Sequence, residues 1–380
     1  MTGGARREQP RRLLIATHYL LRIAGSEVVA YETARHFAAA GCQVSVFANA
    51  ANGPMAAMIE AVTGAPVITD PDRIRPFTYD MVYVQHQVLG LFDYRVSADD
   101  RAMTRMVAGR LSRWSYLESG GWLHDRLLLD HVLANSELTA EHLATIGHGT
   151  PTTIFYNAAP AAFFRPFVAK PATPRRILWI SNHRDPALGE AVDRLRQSIV
   201  VDHVGEQGGQ VTLVTPEMIA AADAVVSIGK SVPYALAAHV PVYIYDHLGG
   251  PGYLDADTVG QAARFNFSGR CCERKLTGEA LAAEIVGDYA KGVAFARDTP
   301  AAWLERYRQP RYMDLLLDAP LATNAEKRRR LLDSPFVMQE RMLAAHLRED
   351  LRTRQRLLQQ IRVLDSRLKA LGAAGGPAAA

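Results

Sequence analysis

Ala224-Val-Val-Ser-Ile-Gly229-Lys230-Ser231 is an apolar run that stops at a small-residue turn, and residues 231 to 238 continue it with the composition of a short helix. A second apolar run, Val240-Pro-Val-Tyr-Ile-Tyr245, begins directly after. Strand, turn, helix and strand in this order form the repeating unit of a parallel sheet, whose strands are buried on both faces and so read as unbroken apolar runs. At the start of the helix, backbone N–H groups and the positive end of the helix dipole face the carboxyl edge of the sheet, where an anion such as a diphosphate can be held. Lys230 adds a point charge there. The same turn also suits an ordinary strand-to-helix connection with a solvated lysine. A nucleotide-triphosphate P-loop is excluded, because Ala224 stands where its first glycine is required.

Upstream, the pattern predicts strands at Arg176 to Ser181 and Val211 to Val214, with helices at Pro186 to Leu195 and Thr215 to Ala222. The stretch Phe164 to Arg176 holds three prolines and no periodicity, which suits a linker. Before it lies a second set of units. Leu13 to Ala16 is a strand, Arg22 to Glu27 a polar glycine turn, Val28 to Ala38 a helix and Val44 to Ala48 a strand. Met81 to Val84 and His131 to Ala134 are further strands, and Asn135-Ser136 caps a helix that begins near Glu137. The predicted fold is therefore α/β: two Rossmann-like doubly wound domains facing across a cleft, residues 1–165 and 166–323, with a basic helical tail at 324–380. Ligands would lie between the domains, where the carboxyl ends of the strands converge.

Composition bounds the function. The 380 residues are 48 % hydrophobic and 22 % charged, which excludes a disordered or membrane-embedded chain. The net charge of +4 is carried by the tail, which has 12 basic and 6 acidic residues from Asn324 onward. A nucleic-acid binder would carry that surplus on its folded body, so no nucleic-acid partner is expected. Cys42, Cys271 and Cys272 form neither a disulfide framework nor a zinc site, and no HExxH or DxD-type cluster is present, so no metal is expected. With no long apolar span, the chain is expected to be cytoplasmic. In the tail, Leu357, Ile361, Leu364, Leu368 and Leu371 follow heptad spacing, but Arg354 and Asp350 fall on the same seam. Self-association, packing on the body and surface contact with a membrane all stay open.

Further candidate site residues sit at predicted strand ends. Gly25 and Ser26 follow the first strand, where a dinucleotide fingerprint would need three glycines; only one is present, which argues against a nicotinamide enzyme. His86 ends the strand Val82-Tyr-Val-Gln-His86, where an imidazole can bond a substrate hydroxyl. Asn182 and Arg184 follow the first strand of the second half, and Arg184 can pair with a phosphate. Asp246, Gly249, Gly250 and Gly252 form a glycine-rich binding loop or a tight surface turn.

Taken in order over residues 11 to 320, these pieces resemble the GT-B fold glycosyltransferases, in particular a divergent branch of family 4, which extends bacterial surface polysaccharides. Ala24-Gly25-Ser26-Glu27 resembles that family's loop after strand one, and Tyr79-Asp80-Met-Val-Tyr-Val-Gln-His86 its aspartate strand ending in histidine. Leu133-Ala-Asn-Ser136 and Ile154-Phe-Tyr-Asn157-Ala158 are similar to its asparagine-serine strand end and its proline-asparagine-glycine turn. Gly229-Lys-Ser with Ala235-Leu-Ala-Ala-His-Val-Pro-Val242 resembles the segment that grips the nucleotide diphosphate. The family's paired glutamates are missing: Val226 and Tyr234 stand in their places. The resemblance implies a nucleotide-diphosphate-sugar donor bound by Gly25, Ser26, Asn182, Arg184, Gly229 to Val232, Tyr234, Asp246, Gly249, Gly250 and Gly252. It implies a saccharide or lipid-linked saccharide acceptor on the first domain, with His86 and Lys230 serving catalysis and no cofactor. A GT-B-fold nucleotide-sugar epimerase and a catalytically inactive nucleotide-sugar-binding scaffold are the alternatives.

Overall fold

The computed structural model describes residues 11–182, 185–205 and 208–374. The first domain is built on a six-stranded sheet made of β1 (Arg12–Tyr19), β2 (Gln43–Ala50), β3 (Met81–Val84), β4 (Arg105–Arg110), β5 (His131–Ala134) and β6 (Thr152–Ile154). The strands run in the order β2-β1-β3-β4-β5-β6 and every pairing is parallel. Along β1 the side chains alternate between two cores. Leu13 and Ile15 pack against α1 (Gly25–Ala39) and α2 (Pro54–Thr63), while Leu14 and Ala16 face a second cluster with Val82, Val84 and Met106. Both faces are covered, so β1 reads as one apolar run. Two shorter helices, α3 (Leu123–Leu128) and α4 (Glu137–Thr145), complete this half; Ser136 caps α4 by accepting from the Thr139 amide at 3.4 Å.

The second domain contains β7 (Arg176–Ile180), β8 (Val200–Val204), β9 (Ala224–Ser227), β10 (Val242–Asp246) and β11 (Gly249–Tyr253), in the order β11-β10-β9-β7-β8. All pairings are parallel except β10 with β11. Its helices are α5 (Pro186–Leu195), α6 (Pro216–Ala221), α7 (Ser231–Ala237), α8 (Val259–Arg264), α9 (Gly278–Gly287), α10 (Tyr289–Asp298) and α11 (Ala301–Leu304). The chain then returns to the first domain through α12 (Gln309–Asp318), whose Tyr312, Met313 and Leu316 join the core beside Phe155. The outcome is two Rossmann-like domains facing across a cleft, the GT-B arrangement.

Two expectations are corrected. Val211 to Val214 is an extended segment outside the sheet; the strand is β8, which pairs only with β7 at the sheet edge and carries the polar Asp202 and His203 within its run. Leu213 packs instead against the first-domain core, and Val214 against the second. The glycine-rich segment Gly249 to Tyr253 is likewise a strand. Gly249 and Gly252 have φ of +101° and +90°, and a Cβ on Gly250 would lie 2.0 Å from the Ile244 carbonyl oxygen, so the glycines serve close backbone packing within the hairpin.

The tail is part of the first domain over its first half. In α13 (Asn324–Asp333), the fully buried Lys327 ammonium lies 2.5 Å from Asp130 Oδ2 and donates to the Thr104 carbonyl at 2.6 Å. In α14 (Val337–Ala374), Glu340 accepts from the Leu123 and His124 amides at 2.6 and 2.7 Å, capping the start of α3. From residue 356 to 369, every residue of α14 is exposed. Removing one partner of a buried ion pair strands the other charge, so Lys327→Ala is expected to lower stability by about 3–5 kcal/mol. A chain ending at residue 355 should lose less than about 0.5 kcal/mol. Urea denaturation of both variants measures this, and equal losses would contradict the division of the tail.

Candidate functional site in the interdomain cleft

The carboxyl ends of β1, β3 and β4 in one domain, and of β7 and β9 in the other, open onto the cleft. Two cavities of about 340 Å³ each occupy it and share Gly25, Ile180, Asn182, Lys230 and Ser231. The first is closed by Ser26 and Glu118 from one side and by Ser227 to Ser231 from the other. The second lies deeper along α1, between Glu32 and Arg35 and the extended segment 211–217. Each volume is within the range of small-molecule sites.

The turn before α7 has the local form expected of it, with Gly229 at φ +60°, a conformation that glycine adopts without strain. The Gly229 amide donates to the Phe267 carbonyl at 3.0 Å. Lys230 lines both cavities, yet its ammonium is turned inward. It sits 2.6 Å from Glu32 Oε2 on α1, donates to the Ala158 and Asn157 carbonyls at 2.7 and 3.0 Å, and lies 5.0 Å from the Tyr234 ring centroid. Burial lowers its pKa and the Glu32 carboxylate acts in the opposite direction. The solvated lysine of the sequence reading is thus replaced by a latch between domains. Tyr234 completes it: its hydroxyl donates to Glu32 Oε1, and its ring stacks on Phe163 at a centroid distance of 4.0 Å. A carboxylate does reach the position where Tyr234 replaced the expected glutamate, but it arrives from the opposite domain. Asn157 adds a second tie, donating to Asn266 Oδ1 at 2.7 Å.

His86 lies two residues past the end of β3, and its side chain is fully buried. Its Nδ1 lies 2.6 Å from Thr17 Oγ1 and accepts from the His18 backbone N–H at 3.3 Å. Its Nε2 faces Glu118 Oε1 at 3.0 Å. Glu118, on the loop between β4 and α3, stands between His86 and the cavity, and 13 % of its side chain is exposed. Burial pushes the Glu118 carboxyl up, but hydrogen bonds and charge from His86, with further bonds from Tyr19 and Ser26, outweigh it and leave the pKa below the ordinary value. Behind this group, burial beside His86 lowers His18 to about 3, keeping it neutral to accept from Asn49 Nδ2 at 2.8 Å. Glu27 holds the turn before α1 by accepting from the Leu21 and Arg22 amides at 2.6 and 2.8 Å.

Of the remaining candidates, Gly25, Ser26, Asn182, Ser231 and Tyr234 line one or both cavities, and a Cβ on Gly25 would point into open space. Asn182 donates to the Ile23 carbonyl across the cleft at 3.4 Å. Val232 is buried in the second-domain core. Asp246, Gly249, Gly250 and Gly252 line neither cavity; Asp246 accepts from the Leu248 amide at 2.6 Å and shapes the hairpin. Arg184 lies outside the described residues. Glu32 and Glu118 were missed, although a glutamate inside the apolar stripe of α1 and one beside Gly120-Gly121 were both visible. Among the described residues, no group of three or more histidine, cysteine or acidic side chains is placed to hold a metal ion.

No family model and no curated protein matches the sequence. Among solved structures, the chain is similar to a glycosyltransferase from Rickettsia africae ESF-5, at 11 % identity over 80 % of this chain and 98 % of that one, with a TM-score of 0.42. It is also similar to the lipopolysaccharide outer core galactosyltransferase WaaB, at 12 % identity over 77 % and 99 %, with a TM-score of 0.38. A protein described as a UDP-N-acetylglucosamine 2-epimerase from Listeria monocytogenes aligns at 13 % identity over 77 % and 93 %, with a TM-score of 0.42.

The latch gives a direct expectation. Glu32→Ala leaves the Lys230 charge buried without its partner, and the domains should part to rehydrate it. Small-angle X-ray scattering should then show a larger radius of gyration than for the parent protein, and an unchanged radius would contradict the latch.

Proposed function

We propose that the protein is a glycosyltransferase that binds a nucleotide-diphosphate sugar in the cleft and moves its sugar to a saccharide or lipid-linked saccharide. The observation that carries this reading is the cavity lined from both domains at the carboxyl ends of parallel strands, the place where doubly wound sheets hold nucleotides. Its second-domain wall, Ser227 to Ser231, offers hydroxyl and small-residue backbone to a diphosphate, and its first-domain wall offers Ser26 and Glu118 to the sugar and acceptor. The loop bearing Glu118 also presents Trp114 and Tyr116, 67 % and 60 % exposed, as apolar faces for a sugar ring. Transfer would need no metal or cofactor: Lys230, released from Glu32, would neutralise the leaving diphosphate. The setting is cell-surface polysaccharide synthesis at the cytoplasmic face of a membrane.

The exposed half of α14 supports membrane contact. No helix among the described residues is long and apolar enough to cross a membrane. From Leu351 to Lys369 the chain carries six basic residues and one acidic one. Leu357, Ile361, Leu364 and Leu368 recur along one face and are all more than half exposed, while Arg352, Arg356, Arg362, Arg367 and Lys369 lie away from that face. Basic amphipathic helices lie on anionic bilayers, with each basic residue worth about 1 kcal/mol near the surface.

A thermal-shift screen of UDP-, GDP- and dTDP-sugars is expected to raise the melting temperature with one donor class, because ligand binding to the folded state stabilises it. With that donor, Lys230→Ala should slow transfer by roughly 100-fold, about 3 kcal/mol of charge stabilisation. Glu32→Gln, which releases the ammonium, should retain donor affinity. Loss of donor binding in Glu32→Gln but not in Lys230→Ala would contradict the assigned role. For the tail, pelleting with phosphatidylglycerol vesicles is expected to be lost when the chain ends at residue 355, while a change in oligomeric state alone would identify a self-association helix instead.

A further inference from the structure

We infer that the first domain carries a second ligand site, away from the interdomain cleft, which takes a free single-chain amphipathic anion: a long-chain carboxylate. A cavity of about 780 Å³ opens where α13 and the start of α14 pack on the segment that follows β3. It is more than twice the volume of either cleft cavity and shares no residue with them. Its size is within the range of small-molecule sites. Much of the lining is apolar. Leu91, Leu331 and Val337 are wholly or partly buried there, whereas Val96, Leu332 and Met338 line it while 80 %, 84 % and 64 % exposed. Apolar side chains left in water around a concavity mark a surface that buries an apolar partner.

The polar lining selects the head group. Most of its charges are already matched: Arg95 donates to Asp93 at 3.0 and 2.9 Å, Arg75 lies 3.6 Å from the same carboxylate, and Arg328 is paired with Asp100. Asp72 is exposed and lies in the field of Arg348. Arg341 is different. Its guanidinium donates to the Phe92 carbonyl at 2.8 Å and meets no carboxylate among the described residues. His124 gives an independent pointer to the same ligand. It lines the cavity at 1 % exposure with Nδ1 against Glu340 Oε2, and its Nε2 is buried with no hydrogen-bond partner, a costly state unless a ligand fills it. Between Glu340 and a ligand carboxylate, the ring is an imidazolium that donates from both nitrogens. One guanidinium fork and one imidazole nitrogen suit a singly charged carboxylate, whereas a phosphate monoester, with nearly two charges, would be half-paired. The chain then runs past Leu331 and Val337 to cover Val96, Leu332 and Met338. Since the head meets buried His124 and the chain lies at the rim, a lipid anchored in a bilayer would present the wrong end, so the occupant enters as a free molecule.

The test uses the full-length protein and laurate, a single-chain carboxylate, below its micelle concentration. Isothermal titration calorimetry is expected to show one laurate bound per chain, and dodecanol, which has the same chain without the charge, should bind at least about tenfold more weakly. Arg341→Ala should weaken laurate binding by about 10- to 100-fold, the usual loss when a charged hydrogen-bond partner is removed. Met338→Glu should weaken it as well, by setting a carboxylate against the chain; the position is exposed, so folding is retained. Should Arg341→Ala lower the urea midpoint, Met338→Glu decides. Absence of laurate binding, dodecanol binding as tightly as laurate, or affinities within about threefold of the parent in both variants overturns the inference. Pelleting of a chain ending at residue 355 with phosphatidylglycerol vesicles, abolished by Arg341→Ala, would also overturn it and assign the cavity to a bilayer lipid. None of these results bears on the glycosyltransferase reading, because the cavity has no residue in the cleft.

Discussion

A single buried carboxylate decides how the two halves of this molecule face each other. Glu32 of the first domain meets both the Lys230 ammonium and the Tyr234 hydroxyl of the second, and all three groups are removed from water. Neither charge is tolerable there alone, so the domains are bound to bring them together. Other ties between the domains include Asn157 to Asn266, Asn182 to the Ile23 carbonyl and the bidentate Arg264–Glu141 pair; the last is exposed and contributes little. The latch stands in the cleft itself, because the same lysine forms the corner shared by both cavities.

The tail reaches the same region by a different route. Arg348 on α14 donates to Asn49 Oδ1 at 3.1 Å, Asn49 donates to His18, and the His18 amide donates to His86. A continuous run of hydrogen bonds thus links the back of the first domain to the side chain that orients Glu118. The half of α14 that makes these contacts belongs to the body, while the basic half beyond it projects free of the described fold.

Most of the fold was legible because buried parallel strands are written as local apolar runs: Met81 to Val84 and His131 to Ala134 match the observed strands in full. Two of the strands that went unread, β8 and β11, share a physical cause. β8 is an edge strand with half-exposed, polar positions, and β11 is glycine-rich, so neither carries the apolar signal. The site was legible only as positions along strands. Lys230 and His86 were identifiable as strand-end residues, but their partners Glu32 and Glu118 are 198 and 32 positions away and belong to a helix and a loop whose approach is set by the tertiary fold. No local pattern encodes that approach, which is why Lys230 read as a point charge for a bound anion and His86 as a contact for a substrate hydroxyl, neither with its carboxylate partner.

Hydrogen exchange with and without the stabilising nucleotide-sugar tests the central claim most directly, because it reports where the ligand sits independently of turnover. The account requires slowed exchange in two separated segments at once, residues 227–232 in the second domain and the loop 111–122 in the first. Protection confined to one domain, or to the β10–β11 hairpin, would contradict it.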